Sequence, residues 1–280
     1  MAELSIENQL QPQGFLSSKN RWLHFLLLGV LTVFSYGMAL NRLGFYWDDV
    51  GVVFSKYFYG DKGLMEYASR DRFFAKYLYG SIPRIIGLAS WRWHVFGILV
   101  WWFNACLYFV FVGRLFKNMP KLAVWASLFF VVFPTFGSMF ISIIYSMGFF
   151  SLIWLLLSFI FMDNYLQGKN KVASLILSLV FMLLEILQSE YWIGIEFFRV
   201  VIILIMISGS ASVRQLLKKD QIIAAIKKYL PYLAVLLVFV IWRLFIFKGY
   251  RASTDAGSVM HELAKNPVQG FFFKAQKPVF

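Results

Sequence analysis

LAVWASLFFVVFPTFGSMFISIIYSMGFFSLIWLLLSFIFM, from Leu122 to Met162, contains no charged residue. At 1.5 Å per residue the run makes about 60 Å of helix. That is twice the roughly 30 Å of hydrocarbon in a bilayer, so it holds two crossings. The one strong break inside it is Pro134-Thr135-Phe136-Gly137, where proline lacks an amide donor and a tight reversal is permitted. A pair of spans joined at that break sets the expected fold class, an all-α polytopic membrane protein.

The composition points the same way. Of 280 residues, 60% are hydrophobic and 15% charged, with 32 Phe and 10 Trp, and the mean hydropathy is +0.68. A soluble domain has too little interior to hide that much apolar surface. The net charge of +13 would suit a nucleic-acid partner, but basic residues set in short loops between apolar runs follow from membrane topology. No nucleic-acid partner is expected. The single cysteine, Cys106, sits in an apolar run, which excludes an intrachain disulfide and a cysteine-based zinc site.

About seven transmembrane helices are expected. They are Trp22 to Leu40, about Trp93 to Gly113, the two halves of the uncharged run, Val172 to Gln188, a sixth continuing to Gly209, and Tyr229 to Phe247. The first reads as a retained signal anchor, because the polar head 1–21 is too long for an ordinary signal-peptide n-region. Basic residues follow spans two (Arg114, Lys117, Lys121), four (Lys169, Lys171) and six (Arg214, Lys218, Lys219, Lys227, Lys228). The positive-inside rule then predicts a cytoplasmic N-terminal tail at 1–21, a seven-span module over 22–247 with an external loop at 41–92, and an external tail at 248–280. Glu185, Glu190, Glu196 and Arg243 would share the outer side, and a bacterial inner membrane is the expected location. No internal repeat suggests the inverted duplication of many secondary transporters.

The external loop carries the most expensive residues. In Gly44-Phe45-Tyr46-Trp47-Asp48-Asp49-Val50-Gly51, two adjacent carboxylates stand among aromatic rings where a helix leaves the bilayer, and each charge must be solvated, paired or ligated. An aspartate there can act as a general base or hold a divalent cation. With no His or third acid nearby in sequence, the base role is preferred and no metal cofactor is expected. Further along, Gly63 to Tyr79 reads as an amphipathic interfacial helix, with Leu64, Tyr67, Phe74, Tyr77 and Leu78 on one side and Gly80 and Pro83 at its end. Such an arrangement suits a partly lipidic substrate whose tail stays in the membrane.

Arginines supply the complementary charge. Arg199 lies three residues after Glu196, a spacing that permits an ion pair on one helical face. Arg243 sits near the outer end of the last span, where snorkelling is the plain alternative. Either one, or Arg70, Arg72 or Arg84 in the loop, could neutralise the phosphate of a lipid-linked donor through its guanidinium fork. Sequence does not rank them. His94 at the mouth of the second span and His24 at the entrance of the first read by themselves as interfacial, hydrogen-bonded imidazoles.

One span, then Trp47-Asp48-Asp49, then an amphipathic stretch through Arg72 and Pro83 to Trp93-His94-Val95-Phe96 and Asn104-Ala105, resembles the opening module of the GT-C superfamily. These membrane glycosyltransferases include protein O-mannosyltransferases and the lipid A aminoarabinose transferase. The resemblance covers Trp22 to about Phe247. It implies a sugar transferred from a polyprenyl-phosphate donor, with Asp48 or Asp49 as catalytic base, Asp49 being preferred, and His94 at a position where relatives often carry histidine. Arg72, Glu190, Arg199 and Arg243 are the substrate-binding candidates, and the acceptor is not legible. Many such enzymes carry a second acid between spans three and four, and Pro134 to Ser138 has none, which leaves Glu185 or Glu190 as substitutes. They also continue into further spans and an outer domain, so that by this comparison the chain is a piece or a minimal member of the design. The rival readings are a lipid flippase or small-solute transporter, which predicts charge at mid-membrane depth, and a non-catalytic membrane subunit of the same shape.

Overall fold

The computed structural model describes residues 18–38, 40–70, 72–133, 141–208, 216, 218–248, 261 and 264–265. Nine helices organise them: α1 (Ser18–Tyr36), α2 (Asp48–Ser69), α3 (Ala75–Ile86), α4 (Ser90–Leu115), α5 (Pro120–Val132), α6 (Ser142–Leu166), α7 (Lys171–Gln188), α8 (Ile193–Ser208) and α9 (Lys219–Ile241). A 3-10 turn, Glu190–Trp192, joins α7 to α8, and a π-helical turn, Trp242–Ile246, extends α9.

The chain is a helical multi-pass membrane protein. By length and composition four helices can cross a bilayer: α4, α6, α7 and the continuous Lys219–Ile246. That is fewer than the seven expected. The apolar parts of α1 (Arg21–Tyr36) and α5 (Pro120–Val132) are shorter, and α8 has 16 residues. The break in the uncharged run cuts α5 off early, with Phe133 already extended; the reversal expected at Pro134 to Gly137 lies outside the described residues. α1 stops at Tyr36 rather than Leu40, and α9 begins within the basic segment expected to be a loop.

α6 is the central helix, and its neighbours reach it through small residues that let backbones approach. On the α7 side Ser158 and Ser178 each donate to the other's backbone carbonyl at 2.7 Å. On the α4 side a Cβ added at Gly97 would meet Ser146 Oγ at 2.9 Å, and Asn104 Nδ2 donates to Phe149 O at 3.1 Å. His24, near the start of α1, is held by a hydrogen bond. It is buried and its Nε2 lies 2.9 Å from Ser127 Oγ on α5.

The external loop folds differently from the single amphipathic helix expected over Gly63 to Tyr79. That stretch begins inside α2 and ends inside α3. α2 is itself broken at Gly60, whose φ of 65° glycine alone adopts without strain. The two limbs close as a hairpin, so tightly that a Cβ on Gly51 would meet the Tyr67 hydroxyl at 2.9 Å. Asp61 pins the corner, receiving Lys56 from the first limb and Arg84 Nε from α3 at 2.9 Å. α3 runs through Gly80 and Pro83, the expected end, and stops at Gly87 (φ 77°), whose N–H donates to Pro83 O at 3.0 Å. Gly80 is retained inside the helix because Met65 of α2 packs directly on it.

A small second core ties this hairpin to the bundle. Val52 and Leu64 of α2, Trp93 of α4, and Ile143 and Met147 of α6 are buried together. α2 and α3 are thereby fixed to the first turns of α4 and α6.

Candidate functional site

The residues expected to carry chemistry fall in three places. The first is the aspartate pair. Asp48 and Asp49 open α2 behind Trp47, a residue at φ 50° that strains the backbone at the entrance of the helix. Asp48 is exposed. Asp49 is completely buried and takes the backbone N–H groups of Ile143 (3.0 Å) and Ile144 (3.0 Å) and the Ser142 hydroxyl (3.3 Å). It therefore caps α6 from another helix, satisfying donors that a helix N-terminus otherwise leaves bare. Burial pushes its carboxyl up from the ordinary carboxylate range, against the pull of those donors. Asp48 is the member of the pair left open to solvent.

His94 supports this corner. It is buried, and its Nε2 lies 3.1 Å from the carbonyl of Gly44, so a proton on that nitrogen holds down the strand of chain leading into Trp47 and Asp48. The role is positional.

The second place is a narrow pocket at the end of α7. Arg72 from the α2–α3 link, Glu190 from the 3-10 turn and Arg243 from the π-helical turn line it, with Phe73, Phe239, Trp242 and Phe247 as aromatic wall. Arg243 is mostly buried, its Nε ion-paired with Glu190 and its guanidinium 4.7 Å from the Phe247 ring. π-helical turns recur at functional sites because the wider turn redirects side chains. Three candidates distant in sequence thus meet here, two of them cationic.

The third place is sealed. Arg199 and Glu196 are both fully buried and form a bidentate pair, 2.6 Å on each arm. The guanidinium also sits 4.4 Å from the Phe159 ring and 4.7 Å from that of Tyr232. This is the self-neutralising alternative, deep in the bundle, where a lipid phosphate at the rim has no contact with Arg199. Tyr232 bonds Ser178, the partner of Ser158, which lies about 24 Å along α6 from Ser142. Glu185, buried on α7, feels the charges of both Glu196 and Arg199. Both it and Glu196 are fully buried.

Two features were not foreseen. The hairpin at Gly60 creates a groove of about 760 Å3 lined by Val50, Gly51, Phe54, Tyr67, Glu66 and Arg70, among others. Its signal in sequence was Tyr59-Gly60-Asp61-Lys62-Gly63, two glycines around a charged pair. The hairpin also returns the chain to its starting end, so that Arg70 and Arg72 follow Tyr67 on the side where Asp48 begins. Of the competing arginines, Arg84 is engaged by Asp61 and Arg70 lies 3.7 Å from Glu66.

Among the described residues no group of three or more His, Cys, Asp or Glu side chains is placed to hold a metal ion. Compared with protein-family models, with curated proteins and with solved structures, the chain finds no match in any of the three.

Proposed function

We propose that the protein is a membrane glycosyltransferase of the GT-C kind, moving a sugar from a polyprenyl-phosphate donor to an acceptor on the non-cytoplasmic face. The supporting observation is the hairpin at Gly60. Asp48 stands exposed where it begins, a groove with aromatic walls runs between its limbs, and Arg72, just past its end, lines a pocket with Arg243. In this reading the short helices α1, α5 and α8 complete seven crossings, with the N-terminus in the cytoplasm of a bacterial cell.

Asp48 takes the proton of the acceptor hydroxyl as that oxygen attacks the anomeric carbon. The bond from that carbon to the phosphate oxygen breaks with inversion, and the polyprenyl phosphate leaves with the electron pair. Arg72 and Arg243 offset its charge, Arg243 being held in place by Glu190. The isoprenoid tail lies along the groove and out into lipid. Membranes carrying the chain, given a polyprenyl-phosphate donor labelled in the sugar, should form labelled product that Asp48→Asn abolishes. Product formed equally by Asp48→Asn would refute the assignment.

One observation favours a second reading, transport of a solute or lipid. Glu185, Glu196 and Arg199 put charge inside the bundle, as a substrate or ion path would. Counterflow uptake into vesicles without covalent product would support it.

A further inference from the structure

The end of α7 carries polar groups that packing leaves unanswered. Glu185 is 0% exposed, and neither of its carboxyl oxygens has a hydrogen-bond partner among the described residues. Further along, past Gln188, which is bonded to Trp154 and to Met147 O, Ser189 Oγ and Trp192 Nε1 are buried and unpartnered in the same way. Ser189 N–H donates to the Glu185 carbonyl at 3.1 Å, so the two residues are one helical turn apart. Ser189 also lines the pocket that Arg72, Glu190 and Arg243 close. Ser189, one turn beyond Glu185 and not bonded to its carboxyl, thus belongs both to the pocket lining and to the unpartnered groups at this end of α7.

The charges around Glu185 do not supply a counter-ion. On α8 Glu196 repels it and Arg199 attracts it, but both arms of Arg199 are held by Glu196. On α9 the titratable groups between Lys228 and Arg243 are Tyr229 and Tyr232, whose hydroxyls donate to Glu196 O and Ser178 Oγ. α6 carries no charged residue before Asp163, which is engaged by Arg114 and Gln167, and its tyrosines, Tyr145 and Tyr165, lie in its first and last turns. In the connecting turn Glu190 is bound to Arg243. An ionised carboxylate with no donor and no free cation is heavily penalised in such surroundings. A carboxylic acid is not.

We propose that Glu185 is a proton-binding site inside the bundle, filled and emptied through the outer pocket. A hydronium ion reaching Ser189 gives its proton to the carboxylate and becomes water, and the reverse step returns the proton to the pocket. The Ser189 hydroxyl, which both accepts and donates, relays it. The site stands apart from the glycosyl-transfer reading, and its test measures no transfer.

The full chain in lipid vesicles is treated with dicyclohexylcarbodiimide over a range of pH, and adducts are located by mass spectrometry. This apolar reagent takes the proton of a carboxylic acid onto nitrogen and bonds its oxygen. Glu185 should carry the adduct while Glu190 does not. After correction for the reagent's own pH dependence, labelling should fall on the order of tenfold per pH unit beyond the titration point. Infrared difference spectra should show a carboxylic-acid band that Glu185→Gln removes and whose deuterium exchange Ser189→Ala slows. Absence of the adduct at every pH, or loss of an ionised-carboxylate band in Glu185→Gln even at the acid end of the range, would overturn the proposal. So would labelling indifferent to pH.

Discussion

Asp49 Oδ1 accepts the backbone N–H of Ile143 at 3.0 Å, joining the first external helix to the first turn of α6. The acidic pair is thereby divided in role. Asp49 is committed to the backbone, and Asp48, its neighbour, is exposed.

Asp49→Ala strips the cap from buried donors and should destabilise the protein by about 1–3 kcal/mol. Asp49→Asn keeps one acceptor oxygen and should lose less. Asp48→Asn should leave the unfolding midpoint of the detergent-solubilised protein unchanged. A larger loss from Asp48→Asn than from Asp49→Ala would reverse the division of roles.

The same carboxyl gives stability a pH dependence with a definite sign. Because burial raises Asp49 above its ordinary value, the folded state binds more protons than the unfolded one between the two titration points, and stability falls as pH rises. The contribution is full below about pH 4, the unfolded value, and is lost as pH passes through the folded one. Thermal melts of the wild type should shift downward over that window. Those of Asp49→Asn should not show this component.

Breaking the buried pair on α8 leaves one charge alone in the bundle. Arg199→Met or Glu196→Gln by itself should cost about 3–5 kcal/mol. Combining the two should recover much of that, because no charge is then stranded. Equal melting temperatures for singles and double would show that the pair is not sealed from water.

At the α4–α6 contact, a methyl group at Gly97 meets Ser146 Oγ at 2.9 Å. Gly97→Ala should therefore cost about 1–3 kcal/mol through overpacking. Ser146→Ala in the same chain removes the obstructing oxygen and should restore part of the loss. A double-mutant cycle on melting temperature measures the coupling.

Much of this architecture was written in local chemistry. The absence of charge from Leu122 to Met162 announced two helices, whereas nothing in Trp47-Asp48-Asp49 was read as the start of a helix. The shortness of α5 was legible too, because little chain separates Lys121 from the break at Pro134. Depth was not legible. Loop order assigned Glu185 and Glu196 to the outer side but did not show that α7 and α8 bury both within the bundle. The joining of Arg72, Glu190 and Arg243 depended on a hairpin at Gly60 and a π-helical turn at Trp242–Ile246. Both are backbone choices made by tertiary packing rather than by periodicity.

The central claim is that one lipid-phosphate site spans the α2 groove and the Arg72–Arg243 pocket. Its most direct test is photo-crosslinking with a polyprenyl phosphate carrying a photoreactive group beside its phosphate, followed by mapping of the adducts. The account predicts adducts on Phe54, Tyr67 and Phe73, weakened when Arg72 and Arg243 are replaced by alanine. Adducts confined to α1, α5 or α8, unaffected by those replacements, would contradict it.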